Sequence, residues 1–323
     1  MTKVNMAPWS RKVGYAKKTL LVGSCFASNI GEWMQRLKFA AMSNPFGVLY
    51  NPVSVAQSLQ RMAEKRLLTA ADLQQENNLW FSYTHDSHFS NPDKAECLRL
   101  LNESILKGAW GLKTADFLMV TLGTAWVYKL KRTGEVVANC HKTPAREFDR
   151  VLLSLAEIAQ VLCEMLKSVQ TINPNLQVVF TVSPVRHWKD GAHGNQLSKA
   201  ALLLGVEEAV QKTENAGYFP VYEIVMDELR DYRFYADDML HPSPLAIKTI
   251  WEKLVKVAVD EQSQCLFSEL EQLRAAIHHR PANSKSADYI TFLERQNQRL
   301  QMLKLRLPLA DWDEEEAFFA EKL

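Results

Sequence analysis

The stretch LLVGSCFASNIGEWM, residues 20–34, decides the fold of this chain. An apolar run ends at Gly23, Ser24 and Cys25, and residues with helical spacing follow at once. A continuous apolar run that leads into a helix is typical of a strand buried on both faces of a parallel sheet. In such sheets, ligands bind outside the carboxyl ends of the strands. Ser24 is therefore predicted to lie at a functional edge of the sheet.

The same alternation of short apolar runs and longer amphipathic stretches continues along the chain. The predicted strands are residues 19–22, 117–122 and 177–182, with a weaker one at 218–224. A capping residue followed by proline marks helix starts at Asn51-Pro52, Asn91-Pro92 and Ser243-Pro244. Residues 148–169 and 196–212 are amphipathic stretches between later strands. This order predicts an α/β fold built on a mostly parallel sheet.

Two regions depart from that order. Residues 79–83 form a short aromatic strand, and residues 126–130 and 135–138 flank a Thr133-Gly134 turn that suits a hairpin. We expect these strands at the edge of the sheet. After residue 262 the strand patterns stop, so residues 1–262 are predicted to form the α/β domain and residues 263–323 a helical C-terminal extension. The extension would pack on the α/β body or on a partner, including a second copy of the chain.

Composition and charge exclude several classes of protein. Of 323 residues, 38 are Lys or Arg and 37 are Asp or Glu, so no large positive field exists to bind nucleic acid or an anionic membrane. No stretch approaches the roughly 20 apolar residues that span a bilayer, and no signal peptide is apparent. The five cysteines show no Cys-x-x-Cys spacing, which argues for reduced thiols. We expect a cytoplasmic protein with no nucleic-acid or membrane partner.

Ser24 can be read in two ways from its position alone. A serine between a strand and a helix is either a helix N-cap or a nucleophile beside backbone N–H groups that stabilise negative charge. A nucleophilic serine needs a base and an orienting acid. Asp238 precedes His241 by three residues in the loop before the last long helix of the α/β body, and supplies both groups.

Several stretches resemble one family. Gly23-Ser24-Cys25-Phe26-Ala27 spells the name of the GSCFA domain family, which is grouped with the SGNH (GDSL-like) hydrolases. NPFGVLYNP, LGTAWVY, NCHK, SPVRHWKDG and DMLHPS are also similar to that family, so the resemblance covers about residues 19–250. It implies a three-layer α/β/α sandwich and a triad in which Ser24 is the nucleophile, His241 the base and Asp238 the acid.

The chain departs from the SGNH pattern at the oxyanion hole. The resemblance implies a glycine N–H in the second sequence block, for which Gly47 is the candidate. It also implies an asparagine after Gly123, but Thr124, Ala125 and Trp126 follow instead. Thr124, Asn139 or a backbone N–H is expected to substitute for that amide. Loss of one such donor typically costs about 100- to 1000-fold in rate.

The remaining polar residues have weaker assignments. His88 and His141 follow strand-like segments and are expected to line the pocket. Arg186, in a loop with Trp188, suits an acylated sugar or an anionic small molecule, unless that loop is only a solvated surface segment. Cys25 is expected to be a packing residue rather than a reactive thiol. His85 and His88 lack further metal ligands, so neither a metal nor a cofactor is predicted.

These observations favour a serine esterase that hydrolyses a small acyl ester, such as an O-acetylated carbohydrate. An O-acyltransferase with the same triad, or a ligand-binding module that has lost catalysis, remain alternatives.

Overall fold

The computed structural model describes residues 2–323. Its strands are β1 (Lys18–Gly23), β2 (Ala40–Ser43), β3 (Gln74–Glu76), β4 (Leu79–Phe81), β5 (Phe117–Leu122), β6 (Trp126–Leu130), β7 (Val136–Val137), β8 (Phe148–Leu152), β9 (Gln177–Val182) and β10 (Ala216–Tyr218). Its α-helices are α1 (Cys25–Arg36), α2 (Pro52–Glu64), α3 (Lys94–Thr114), α4 (Leu155–Ile172), α5 (Gly191–Gln211), α6 (Val221–Glu223), α7 (Pro244–Ala258), α8 (Glu261–Gln264), α9 (Phe267–Ile277), α10 (Ala287–Arg306) and α11 (Asp313–Lys322).

A five-stranded parallel sheet forms the centre of the molecule. Its strand order is β10-β9-β5-β1-β2, and Gly23 at the end of β1 lies opposite Thr121 of β5. Residues along each strand alternate between the two faces of the sheet. Leu21 and Val179 pack with α1, α7 and the C-terminal helices, whereas Leu20 and Phe180 belong to the cluster that includes α2 to α5. The predicted α/β/α sandwich with a parallel sheet is confirmed.

The weak fourth strand was misplaced. The strand at this position, β10, ends at Tyr218, and Pro220 is the N-cap of a helical turn that continues as a short π-helix to Glu228. Proline has no N–H for a strand ladder and suits a helix start, which explains the difference. The edge strand β2 was not predicted, because its sequence AAMS contains no β-branched residue.

Two of the three predicted capped helix starts are confirmed. Asn51 accepts a hydrogen bond from Ser54 N, and Ser243 accepts one from Ala246 N. The start at Asn91-Pro92 was wrong, since Asp93 caps α3. The stretch 148–169 is only partly helical: it begins with β8, and α4 starts after Ser154, which forms a capping box with Glu157 of the first turn. The predicted helix at 196–212 is α5, which begins earlier, at Gly191.

The extra strands do not extend the central sheet as expected. β3 and β4 pair with each other, and β6 lies between β7 and β8 in a separate three-stranded sheet. The C-terminal extension is helical, as predicted, and Leu270 of α9 and Leu300 of α10 join the core cluster of α1 and α7. A domain boundary after residue 262 stays a prediction. None of the helices within residues 2–323 combines the length and hydropathy needed to cross a bilayer.

Candidate active site

Gly23 fixes the position of the serine that follows it. Its φ of +137° belongs to a backbone region that favours glycine, and a Cβ here would lie 2.1 Å from Thr121 O. The next residue, Ser24, donates its backbone N–H to the same Thr121 carbonyl at 3.0 Å. The glycine therefore allows β1 to approach β5 closely at the carboxyl edge of the sheet.

The Ser24 side chain does not cap the helix. Ser24 occupies the N-cap position of α1, but its hydroxyl makes no capping hydrogen bond. The residue is 1% exposed, and its Oγ has no hydrogen-bond partner within residues 2–323. An unpaired buried hydroxyl costs about 1 to 3 kcal/mol, and such groups call for a functional explanation. Capping therefore does not account for this serine.

Asp238 and His241 form the predicted pair. His241 Nδ1 lies 2.6 Å from Asp238 Oδ2, and the backbone N–H groups of His241 and Leu240 both donate to Asp238 Oδ1 at 2.9 Å. These two N–H groups, and then the imidazole, lower the pKa of Asp238 to about 2. The ionised carboxylate holds the ring with its proton on Nδ1, so the neutral ring keeps Nε2 free to accept a proton.

Two neighbouring helices carry Ser24 and His241. Ser24 is the N-cap of α1, and His241 lies two residues before Ser243, the N-cap of α7. The indoles of Trp33 and Trp251 stack with centroids 6.1 Å apart. Trp33 is nine residues after Ser24 and Trp251 eight after Ser243. At about 1.5 Å of rise per residue, the two N-caps lie at similar heights if the helices are parallel.

The contacts of Tyr15 show that the helices are parallel. Its hydroxyl donates to Leu37 O, at the end of α1, at 2.9 Å. Its backbone N–H donates to Ser263 Oγ of α8, the short helix that follows α7, at 3.2 Å. Both C-terminal ends therefore lie beside one residue, and both N-terminal ends lie at the carboxyl edge of the sheet. No hydrogen bond joins the Ser24 hydroxyl to His241 among the described residues, so the contact between these two side chains stays a prediction.

Tyr50 and His187 cover the end of β5. A Cβ on Gly123 would lie 3.1 Å from Tyr50 Cδ1 and 3.3 Å from His187 Nε2, and the two rings meet edge to face with centroids 5.4 Å apart. Burial, followed by the charges of Lys199, Arg150 and His241, lowers the pKa of His187 to about 4. His187 is therefore neutral near pH 7. Because the charge of His241 is among the causes of its lowered pKa, the two imidazoles interact electrostatically. The sequence showed it only as part of SPVRHWKDG.

Two of the predicted oxyanion donors, Gly47 and Thr124, form hydrogen bonds to other groups of the protein. Gly47 N donates to Asn44 O at 2.8 Å, and Thr124 N donates to Tyr50 O at 3.0 Å. The Thr124 hydroxyl lies 3.1 Å from Ser198 Oγ and accepts from Trp126 N at 3.1 Å. Oxyanion roles for these groups stay predictions.

Asn195 is a polar residue that the sequence analysis missed. It is 1% exposed, and its Oδ1 accepts the backbone N–H of His187 at 3.0 Å. Because Oδ1 must face this donor, the orientation of the amide is fixed, and Nδ2 is left without a partner within residues 2–323. The structure therefore holds an unpaired amide donor beside His187, in a chain that lacks the expected asparagine after Gly123.

The remaining predicted residues fall into two groups. His88 Nδ1 lies 3.0 Å from Asp86 Oδ1, and a Cβ on Gly47 would lie 2.9 Å from His88 Cε1, so His88 and Gly47 are together. His141 and Asn139 contact each other: Asn139 Oδ1 accepts His141 N at 2.9 Å, and the imidazole stacks on Phe81. Their roles in substrate binding stay predictions. Burial lowers the pKa of His141.

Arg186 and Cys25 differ in surroundings. The Arg186 guanidinium has Met226 Sδ as its hydrogen-bond partner, at 3.6 Å, and forms no ion pair within residues 2–323. Burial raises the pKa of the Cys25 thiol, and the backbone N–H groups of Phe26 and Cys25 oppose that rise. A thiol with a raised pKa is a poor nucleophile, in keeping with a packing role.

His85 is an internal packing residue. It is completely buried, its Nδ1 lies 2.9 Å from Thr84 Oγ1, and its Nε2 lies 2.9 Å from Ser104 Oγ. Burial lowers its pKa well below the usual value. Across residues 2–323, no cluster of three or more His, Cys, Asp or Glu side chains is arranged to hold a metal ion.

A groove of about 1440 Å³ lies between α1, the edge strand β2 and the C-terminal helices. Its lining includes Asn29 of α1 and Pro242, the residue after His241, but not Ser24. The groove therefore adjoins the site on the His241 side and is not itself the space over the serine.

The sequence matches the profile of the GSCFA family over residues 18–254 and that of the C-terminal domain of GSCFA domain proteins over residues 270–323. An acetyl xylan esterase from the rumen bacterium Butyrivibrio proteoclasticus is 12% identical, with a TM-score of 0.39 over 83% of this chain and 66% of that chain. A Clostridium thermocellum family 3 carbohydrate esterase is 11% identical, with a TM-score of 0.36 over 80% of this chain and 98% of that chain. No curated protein matches the sequence.

Proposed function

This chain belongs to the GSCFA family, and we propose on that premise that it is a serine esterase that hydrolyses small acyl esters, such as O-acetylated carbohydrates. Ser24 is the nucleophile, His241 the general base and acid, and Asp238 the group that orients His241. The observation that carries the proposal is the unpaired, buried Ser24 hydroxyl at the same sheet edge as an assembled Asp238–His241 pair.

The reaction proceeds in two steps. Ser24 Oγ attacks the ester carbonyl while His241 Nε2 takes the hydroxyl proton, and the proton then passes to the departing alcohol. Water, deprotonated by the same imidazole, cleaves the acyl-serine and releases the acid. Asp238 stays ionised and stabilises the imidazolium. Because the Ser24 hydroxyl is buried, the side chains around it must move for His241 and the ester to reach it.

The negative charge on the attacked carbonyl oxygen needs hydrogen-bond donors. The N–H groups of Cys25 and Phe26, at the first turn of α1, lie at the positive end of the helix dipole. We assign the side-chain donor to Asn195 Nδ2, because it is buried and unpaired. Asn195 would thus supply, from α5, the amide donor that the SGNH pattern places after the glycine matched by Gly123.

Hydrolysis of p-nitrophenyl esters of increasing chain length tests the proposal. We expect the wild-type protein to hydrolyse the acetate, with activity falling as the acyl chain lengthens, and Ser24→Ala to be inactive. Ser268→Ala, exposed on α9, is the matched control and should retain activity. Turnover by Ser24→Ala equal to that of the wild type would reject the assignment.

The burial of Ser24 also favours a second candidate, an O-acyltransferase. A nucleophile that is closed to solvent protects the acyl-serine from water, so that a sugar hydroxyl can accept the acyl group instead. Adding a mono- or oligosaccharide to the esterase assay distinguishes the two reactions. Acylated sugar that forms faster than free acid identifies a transferase, and free acid alone identifies a hydrolase. Saturable binding of an acetylated sugar with neither product indicates the ligand-binding module.

A further inference from the structure

Lys199 of α5 is a completely buried lysine. Its Nζ donates to Gly123 O at 2.5 Å and to Ser183 O at 2.6 Å. These carbonyls belong to the residues that immediately follow β5 and β9. No carboxylate within residues 2–323 forms an ion pair with Lys199, and its hydrogen-bond partners are these two backbone carbonyls. A buried ammonium without a counter-ion is costly and needs an explanation.

We propose that Lys199 is a positioning residue for the acyl-transfer reaction, which fixes the loops after β5 and β9 and supplies positive potential beneath the reacting centre. This inference rests on the proposed function of Ser24. The Gly123 loop lies against Tyr50 and His187, and the Ser183 loop leads directly to Arg186 and His187. One side chain thus ties together both loops that surround the end of β5.

Lys199 is part of a polar face of α5. Ser198 Oγ accepts Ala125 N at 2.7 Å, and Asn195, one turn earlier, holds His187 N. Residues 195, 198 and 199 lie on one side of a helix because they are spaced by three and four. This face therefore binds the backbone of both loops, and Lys199 is its one charged member.

The effect of the Lys199 charge can be tested separately from the effect of its hydrogen bonds. A neutral amine has two N–H groups and still reaches both carbonyls, so deprotonation removes the charge and leaves the hydrogen bonds. Burial and the positive charge of Arg186 lower the pKa of Lys199 to about 7, and the electrostatic interaction with Cys25 opposes this shift. The charged and titratable groups that interact with Lys199 are therefore Cys25, at the start of α1, and Arg186 and His187, in the loop after β9.

The test compares Lys199→Met and Lys199→Arg with wild type in ester hydrolysis between pH 5 and 10, with the exposed Lys107→Met on α3 as control. We expect Lys199→Met to lose about 10- to 100-fold in kcat, with little change in KM, and to lose a decline in activity that the wild type shows above pH 7. Lys199→Arg, if folded, should remain active without that decline.

Circular dichroism at each pH separates misfolding from loss of function. A folded Lys199→Met with wild-type kcat and pH profile would overturn the inference while leaving the proposed function intact. Absence of hydrolysis and of acyl transfer by the wild-type protein would instead reject the proposed function, and this inference with it. If Lys199→Met is unfolded, a pH profile of Lys199→Arg identical to that of the wild type would also overturn the inference.

Discussion

His241 Nδ1 lies 2.6 Å from Asp238 Oδ2, in a loop where both residues are about half exposed. Because the pair is at the surface, changing either residue should affect the reaction more than the fold. Asp238→Asn replaces the acceptor by an amide that does not stabilise an imidazolium. We expect kcat to fall on the order of 10³- to 10⁴-fold with an unchanged melting temperature.

The neighbouring Asp237, also exposed, provides a matched control for that variant. Asp237→Asn should retain wild-type kcat. Since the pKa of Asp238 is about 2, wild-type activity should show no loss attributable to this carboxyl between pH 4 and 9. Equal kcat for Asp238→Asn and wild type would remove Asp238 from the mechanism.

His187 is the other imidazole at the site and could compete for the role of base. Its pKa of about 4 makes it a weak base, which suits a neutral ring that contacts the substrate. We expect His187→Ala to raise KM severalfold with a smaller effect on kcat, and His241→Ala to abolish turnover. The opposite result, in a steady-state comparison of the two variants, would transfer the role of base to His187.

The proposed donor role of Asn195 can be tested more specifically by aspartate than by alanine. Asn195→Asp preserves the acceptor for His187 N and replaces the Nδ2 donor by an oxygen, which repels the developing oxyanion. We expect kcat to fall at least about 100-fold, and Gln196→Ala, exposed on the next position of α5, to have little effect. Full activity of a folded Asn195→Asp would exclude Asn195 as a donor.

The buried Lys199 should also be visible in the pH dependence of stability. Its pKa is about 7 in the folded state, against about 10.4 in an unfolded chain. Between these values the unfolded state binds more protons, so the stability contribution of this residue rises with pH. We expect the melting temperature of wild type minus that of Lys199→Met to increase from pH 7 to 10 and to stay constant below pH 6. A constant difference throughout would show that Lys199 is not neutral at alkaline pH.

The strand ends could be located from the sequence because buried parallel strands are almost entirely apolar. Ser24 stands out for that reason, since the residues from 20 to 22 are apolar and Gly23 breaks the run. The Asp238–His241 contact was also predictable, because a spacing of three within a loop before a capped helix keeps the two side chains close. In both cases the information is local in the sequence.

The second side of the site could not be predicted in the same way. Asn195 and Lys199 belong to a helix, and only the packing of α5 against the ends of β5 and β9 shows that they are buried and which backbone groups they bind. Their separation of four residues predicts that they share one face of the helix, but it does not predict whether that face is buried or exposed to solvent. β2 was missed because its sequence AAMS, which has no β-branched residue, shows no strand pattern of its own, and the strand forms by pairing with β1.

The measurement that tests the central claim most directly is covalent labelling with a fluorophosphonate, followed by mass spectrometry of the modified peptide. The account predicts a single adduct on Ser24 in the wild-type protein, a strong decrease of labelling in His241→Ala, and no adduct in Ser24→Ala. An adduct on a different residue, or labelling of Ser24 that is unchanged when His241 is replaced, would contradict it.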